Sequence, residues 1–122
     1  MSHRDKVAFI NKASLQGYKV YLYYVCLDDY KVNIDRVNTR VIKGGHYVSP
    51  DKIKDRYFRS LALLFDALKA SYKSYLFDNS KEDVRQIARI NRDKNIHLSV
   101  PEKELPNWYI KNVVNKLTTS AP

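Results

Sequence analysis

Between Tyr18 and Leu27 the chain runs Tyr-Lys-Val-Tyr-Leu-Tyr-Tyr-Val-Cys-Leu, and Lys19 carries the single charge in that stretch. β-Branched and aromatic residues at this density favour extended backbone. A run without polar alternation predicts a strand covered on both faces, as in a parallel sheet. Upstream, residues 3–16 carry the helical stripe Val7, Phe9, Ile10 and Leu15, with Ser2 as N-cap and Gly17 beyond the C-terminus. A helix followed by a two-faced strand is α/β grammar.

The downstream pattern extends that grammar. Asp28 and Asp29 are candidate caps for a helix in which Tyr30, Ile34, Val37 and Val41 recur at the spacing of one buried face. Gly44-Gly45 ends it. Ser49-Pro50-Asp51 then restarts a helix, with Ser as N-cap, Pro at the first helical position and an acid in the first turn. This helix reaches about Tyr72 and buries Ile53, Tyr57, Leu61, Leu64 and Leu68. Residues 74–77 predict a short strand, parallel and adjacent to 18–27, that ends in the turn formers Asp78-Asn79-Ser80. Residues 84–90 and 96–100 alternate across a polar linker and predict an antiparallel hairpin. Leu105-Pro106-Asn107-Trp108 opens a final helix through Leu117, with residues 118–122 as a loose tail. Tyr21, Tyr23, Tyr57 and Tyr75 read as core positions, against the alternative that some of the ten Tyr are stacking platforms for single-stranded nucleic acid.

Size and composition bound what this pattern can build. A chain of 122 residues supports one hydrophobic core and not two, so residues 1–122 read as one domain. With 44% hydrophobic and 12% aromatic residues there is enough apolar surface to drive collapse, and three Gly and four Pro exclude a collagen-like chain. Cys26 is the one cysteine and cannot form an internal disulfide, which fits a reducing compartment. No uncharged stretch approaches the ~20 residues of a membrane span, and the N-terminus lacks the apolar core of a signal peptide. The expectation is a cytoplasmic protein with no membrane partner.

Charge supplies the first functional lead. The chain has 22 Lys plus Arg against 13 Asp plus Glu, a net charge of +9, and attracts polyanions. Arg36, Arg40 and Lys43 form a stripe beside the buried face of one helix, and Lys52, Arg56 and Arg59 lie on the outer side of the next. Two helices joined by a short Gly-containing turn can bring such cations onto one anion. Arginine suits phosphate because its planar fork donates two parallel hydrogen bonds. The competing reading is two amphipathic helices with solvated outer faces. His3, His46 and His97 lack metal-ligand spacing and a Cys partner, so no metal site is expected. Cys26, in an apolar strand with no adjacent base, reads as an inert core thiol, and no catalytic residue is assigned.

The run Arg36-Val37-Asn38-Thr39-Arg40-Val41-Ile42-Lys43-Gly44-Gly45-His46-Tyr47-Val48-Ser49-Pro50, with Ile53 and Arg56-Tyr57-Phe58-Arg59-Ser60-Leu61 after it, closely resembles the lid region of zeta-toxin-like P-loop kinases. Gly-Gly-His with the downstream Arg-Tyr-x-Arg-Ser is the specific part. Ser49 is an extra residue where family members have Val-Pro directly. The resemblance spans nearly the whole chain, yet no G-x-x-x-x-G-K-[ST] occurs in it. It therefore implies a truncated kinase, the half from the lid region onward.

The resemblance implies a partial, three-layer P-loop kinase-like α/β fold: two adjacent parallel strands, lid helices over about 29–72, an antiparallel hairpin and a C-terminal helix. It implies ATP-dependent phosphorylation of a small molecule, as in toxin–antitoxin systems, with ATP and Mg as the family's cofactors. Arg36, Arg40, Lys43, His46, Arg56 and Arg59 become phosphate-binding lid residues, and Asp78, Asn79 and Ser80 lie near the nucleotide base. The chain alone is expected to have binding capacity at most, holding neither ATP nor Mg tightly, and not to catalyse. Its implied partners are a nucleotide or phosphorylated small molecule, and either a complementary N-terminal half or a second copy paired along the strand at 18–27. From charge alone, the alternative is a basic nucleic-acid-binding module, or a regulatory remnant that pairs with another protein.

Overall fold

Four strands form one mixed sheet in the order β1-β2-β3-β4. In the computed structural model, which describes residues 4–81 and 83–120 with side chains through 117, β1 (Tyr21–Cys26) runs parallel to β2 (Lys73–Asp78). β3 (Arg85–Ile90) is antiparallel to β2, with a register shift at Leu76/Phe77, and β4 (Ile96–Leu98) is antiparallel to β3. The helices are α1 (Arg4–Leu15), α2 (Tyr30–Ile42) and α3 (Pro50–Ala70). At the C-terminus α4 (Asn107–Tyr109) passes through a π turn, Ile110–Val114, into α5 (Asn115–Ser120). The helical backbone thus continues past Leu117, where the sequence reading places a loose tail. Ser2, His3, Ala121 and Pro122 lie outside the described residues.

The chain is α/β, with two adjacent parallel strands and a β-hairpin, but its layering differs from the expectation. Leu61, Leu64 and Leu68 of α3 pack with Tyr24, Leu76 and Ile87 of the sheet, and Trp108, Tyr109 and Val113 complete the same cluster. Val7 and Ile10 of α1 pack on Ala67, beside Leu22. These contacts all use the β1 face that carries Leu22, Tyr24 and Cys26. Side chains alternate along a strand, so Tyr21, Tyr23 and Val25 point the other way, where they are 49%, 64% and 53% exposed. Among the described residues there are two layers, not three, and the strand read as covered on both faces is covered on one. Tyr21 and Tyr23 are accordingly surface residues, while Tyr57 and Tyr75 are half-buried. Phe9 and Leu15 of the α1 stripe are exposed as well, because α1 packs chiefly on α3, through a narrow seam at Val7 and Ile10.

Caps define most helix ends. Asp29 Oδ1 accepts from Lys31 N at 2.9 Å, and Ser49 Oγ accepts from Lys52 N at 3.3 Å. Asp28 does something different: its Oδ1 accepts from Trp108 N at 2.8 Å and its Oδ2 from Asn107 N at 3.2 Å, so it caps the C-terminal helix. The turn after α2 needs its glycines. Gly44 has φ +97°, and Gly45 N donates to Arg40 O at 2.6 Å, where a Cβ would approach that oxygen to 2.9 Å.

Candidate anion-binding cleft

The C-terminal half of β1, α2 and the first turns of α3 enclose a cleft of about 820 Å³. Its cations are Arg36 and Arg40, four residues apart on α2, and Arg56 on α3. Among the described residues no Asp or Glu lines it. Arg36 Nη2 donates to Asn79 O at 3.0 Å, which fixes one guanidinium at the end of the sheet. Arg40 and Arg56 form no ion pair among the described residues, which leaves their donors open to a ligand.

The floor is held by its own hydrogen bonds. Tyr57 Oη donates to Leu27 O at 2.6 Å, and the hydroxyls of Tyr24 and Ser60 share a bond of 2.8 Å. Burial pushes the Cys26 thiol up to about 11, and raises the Tyr24 and Tyr57 hydroxyls as well. At neutral pH these groups are uncharged. A neutral, partly dehydrated floor beneath open guanidinium groups strengthens their attraction for an anion, because less water screens the pair.

Of the six phosphate-binding residues that the resemblance implies, the fold brings three, Arg36, Arg40 and Arg56, into the cleft. Lys43 and His46 lie exposed on the turn between α2 and α3 and do not line it. Arg59 faces outward and pairs with Asp55 one turn earlier. The hinge that was to fold these side chains inward instead points them to solvent, while the i, i+4 stripe of α2 faces the sheet end.

Asp78, Asn79 and Ser80 divide in the same manner. Asn79 lines the cleft and accepts the bond from Arg36. Asp78 is 4% exposed and accepts from Trp108 Nε1 at 2.9 Å and from Ser80 Oγ at 2.8 Å, so this pair anchors the C-terminal helix. Ser80 Oγ also accepts from Asp28 N at 3.2 Å. Two further polar residues line the cleft: Asn33, which the sequence reading does not single out, and Ser60, which it quotes in the Arg-Tyr-x-Arg-Ser motif without a site role. The signal was present: Asn33 lies one turn before Arg36, and Ser60 one turn after Arg56. Among the described residues no group of three or more His, Cys, Asp or Glu side chains is placed to hold a metal ion.

No family model matches the chain, and no solved structure matches it. An uncharacterized protein of Haemophilus influenzae is 36% identical over 57 residues, which make up 47% of this chain and 41% of that protein. The chain thus matches about two fifths of the length of this curated relative.

Proposed function

We propose that the chain binds a phosphate-bearing small ligand of nucleotide size in the cleft formed by Arg36, Arg40 and Arg56, as the lid half of a zeta-toxin-like P-loop kinase. The observation that carries this reading is the convergence of three guanidinium groups from two helices on a cleft that no carboxylate lines among the described residues. Arg40 and Arg56 approach from different elements, so an anion between them joins α2 to α3. A volume near 820 Å³ accommodates a nucleotide, and the buried Ile53 with the half-buried Tyr57 and Val37 supply apolar wall beside the cations.

The residues fit the anionic part of the ATP that the resemblance names. They do not fit its Mg²⁺, for which no cluster of ligands exists among the described residues, and no step is derived through the metal. Positioning and charge stabilisation dominate phosphoryl transfer, and both depend heavily on a phosphate-binding loop that the 122-residue sequence does not contain. The chain therefore supplies phosphate recognition, and transfer requires the loop from elsewhere.

The test is a fluorescence titration with a labelled ATP analogue. Hydrogen bonds to charged groups contribute about 1.5–3 kcal/mol, so Arg40→Ala and Arg56→Ala should each weaken binding about tenfold or more. Lys111→Ala, on the C-terminal helix, should leave it unchanged. Equal losses in all three variants would mean diffuse charge attraction and would end the proposal.

A further inference from the structure

The sheet face that no helix covers among the described residues has its own composition. Across the strands, Tyr21 lies beside Lys73, Tyr23 beside Tyr75 followed by Arg89 and His97, and Val25 beside Phe77 followed by Gln86. The rings of Tyr23 and Tyr75 stack with centroids 4.9 Å apart, and Phe77 lies 6.3 Å from Tyr23. Cations sit against the neighbouring rings. Lys73 Nζ is 6.0 Å from the Tyr75 centroid, and Lys19 and Arg92 lie over Tyr72 at 5.3 and 5.9 Å. None of these rows contains Asp or Glu.

The covered face provides the contrast. There the buried or half-buried side chains include Leu22, Leu76, Ile87 and Ile90, the aliphatic set that suits packing against helices. On the open face Val25 is the one aliphatic residue in those rows, and the rest are tyrosine, phenylalanine, Lys73, Arg89, His97 and glutamine. A protein layer seated on it would have to bury several cations. A second copy packed face to face would set Lys73 and Arg89 against like charges.

We propose that this open face binds single-stranded nucleic acid, with Tyr21, Tyr23, Tyr75 and Phe77 stacking on bases while Lys73, Arg89, Lys19 and Arg92 hold the phosphates. Every base has a π-face, so such stacking tolerates sequence, and the cations gain affinity by releasing counterions from the backbone. The use of aromatic rings selects single strands, because paired bases are already stacked and the sheet presents no helix or ribbon to enter a groove. The surface meets the cationic cleft only at Val25, so the two readings stand or fall separately.

The probe is a fluorescein-labelled dT oligonucleotide of about 16 nucleotides, followed by anisotropy. The single strand should bind more tightly than the corresponding dT·dA duplex. Tyr23→Ala and Tyr75→Ala should each weaken it about tenfold, with thermal unfolding of Tyr23→Ala close to wild type, and Tyr23→Trp should retain binding. Lys73→Gln should lower the slope of log affinity against log salt by about 0.7, the single-strand value per phosphate contact. Lys111→Ala, on the C-terminal helix and outside both surfaces, should leave oligonucleotide affinity unchanged. Absence of binding would overturn the proposal, as would equal affinity for duplex and single strand with no effect of Tyr23→Ala. So would light scattering that shows a dimer abolished by Tyr23→Ala, which would assign the face to a second copy.

Discussion

Arg36 Nη2 donates to the backbone oxygen of Asn79 at 3.0 Å, tying the helix that follows β1 to the turn that follows β2. The two residues are 43 positions apart in sequence. This bond matters because α2 has little else to hold it: none of its residues is fully buried, and Tyr30, Ile34, Val37 and Val41 are only half-covered. By contrast α3 buries Ile53, Leu61, Leu64, Ala67 and Leu68.

Local stability should differ accordingly. Amides of 30–42 should exchange with solvent well before those of 60–70, and Arg36→Ala should widen the difference without lowering the global melting temperature much. Hydrogen exchange followed by mass spectrometry reads this directly. Equal protection in the two helices would show that α2 is not a separately opening element.

The C-terminal helix is predicted to depend on two carboxylates contributed by distant segments. Asp28→Ala removes the acceptor for Asn107 N and Trp108 N and should cost about 1 kcal/mol, as helix caps do. Trp108→Phe leaves the enclosed Asp78 carboxylate one donor short and should cost about 1–3 kcal/mol in addition to lost packing. Urea unfolding measures both. Asp28→Asn keeps one of the two acceptor oxygens and turns an amide NH2 toward the other backbone N–H, so it should recover only part of the first loss.

These contacts mark where the sequence was legible and where it was not. The cap Asp29, the restart at Ser49-Pro50 and the buried series Ile53, Leu61, Leu64 and Leu68 all follow local rules of spacing, and the structure has them. The roles of Asp28 and Asp78 depend on Trp108, a residue 80 and 30 positions away, and no local pattern encodes that. The covering of β1 was misread for a related reason. Tyrosine suits a solvated sheet face as well as a buried one, so an apolar run made largely of Tyr does not reveal how many layers it meets. In the cleft, helical spacing placed Arg36 and Arg40 together correctly. It could not show that the turn at Lys43 and His46 faces solvent, because the orientation of α2 is set by tertiary contacts such as Arg36 with Asn79.

Alkaline pH should destabilise the fold. The folded chain holds the Cys26 thiol neutral up to about 11 and the Tyr109 hydroxyl up to about 12, against ordinary values of 9.0 and 10.0. Burial is the leading cause for both. Below pH 9 both groups are neutral whether folded or unfolded, so their contribution is intact. As pH rises above 9 the unfolded chain releases protons that the folded chain retains, and stability falls. Melting temperature should therefore decline above about pH 9, less steeply in Cys26→Ala. At pH 8 the folded thiol should react with iodoacetamide about a hundredfold more slowly than in urea, since its thiolate fraction is lower by that factor.

Lys94 should be worth more to stability than an exposed lysine normally is. Its Nζ donates to Leu68 O at 3.0 Å and to Ser71 O at 2.6 Å, which satisfies carbonyls at the end of α3 and opposes the negative end of the helix. Its backbone sits at φ 67°, a left-handed conformation that glycine adopts more readily. Lys94→Ala should cost about 1–2 kcal/mol. Lys94→Gly should cost less, because the backbone strain is relieved while the cap is lost. Thermal melts that place Lys94→Gly below Lys94→Ala would contradict this.

The central claim is that phosphate is recognised between α2 and α3. It is tested most directly by titrating inorganic triphosphate into isotopically labelled protein and following the amide and guanidinium resonances. The account predicts shifts concentrated on Arg36, Arg40, Arg56, Asn79 and their immediate neighbours, saturating together and absent in an Arg40→Ala/Arg56→Ala double variant. Small shifts spread over the cations of α1, the hairpin and the C-terminal helix, unchanged in that variant, would contradict it.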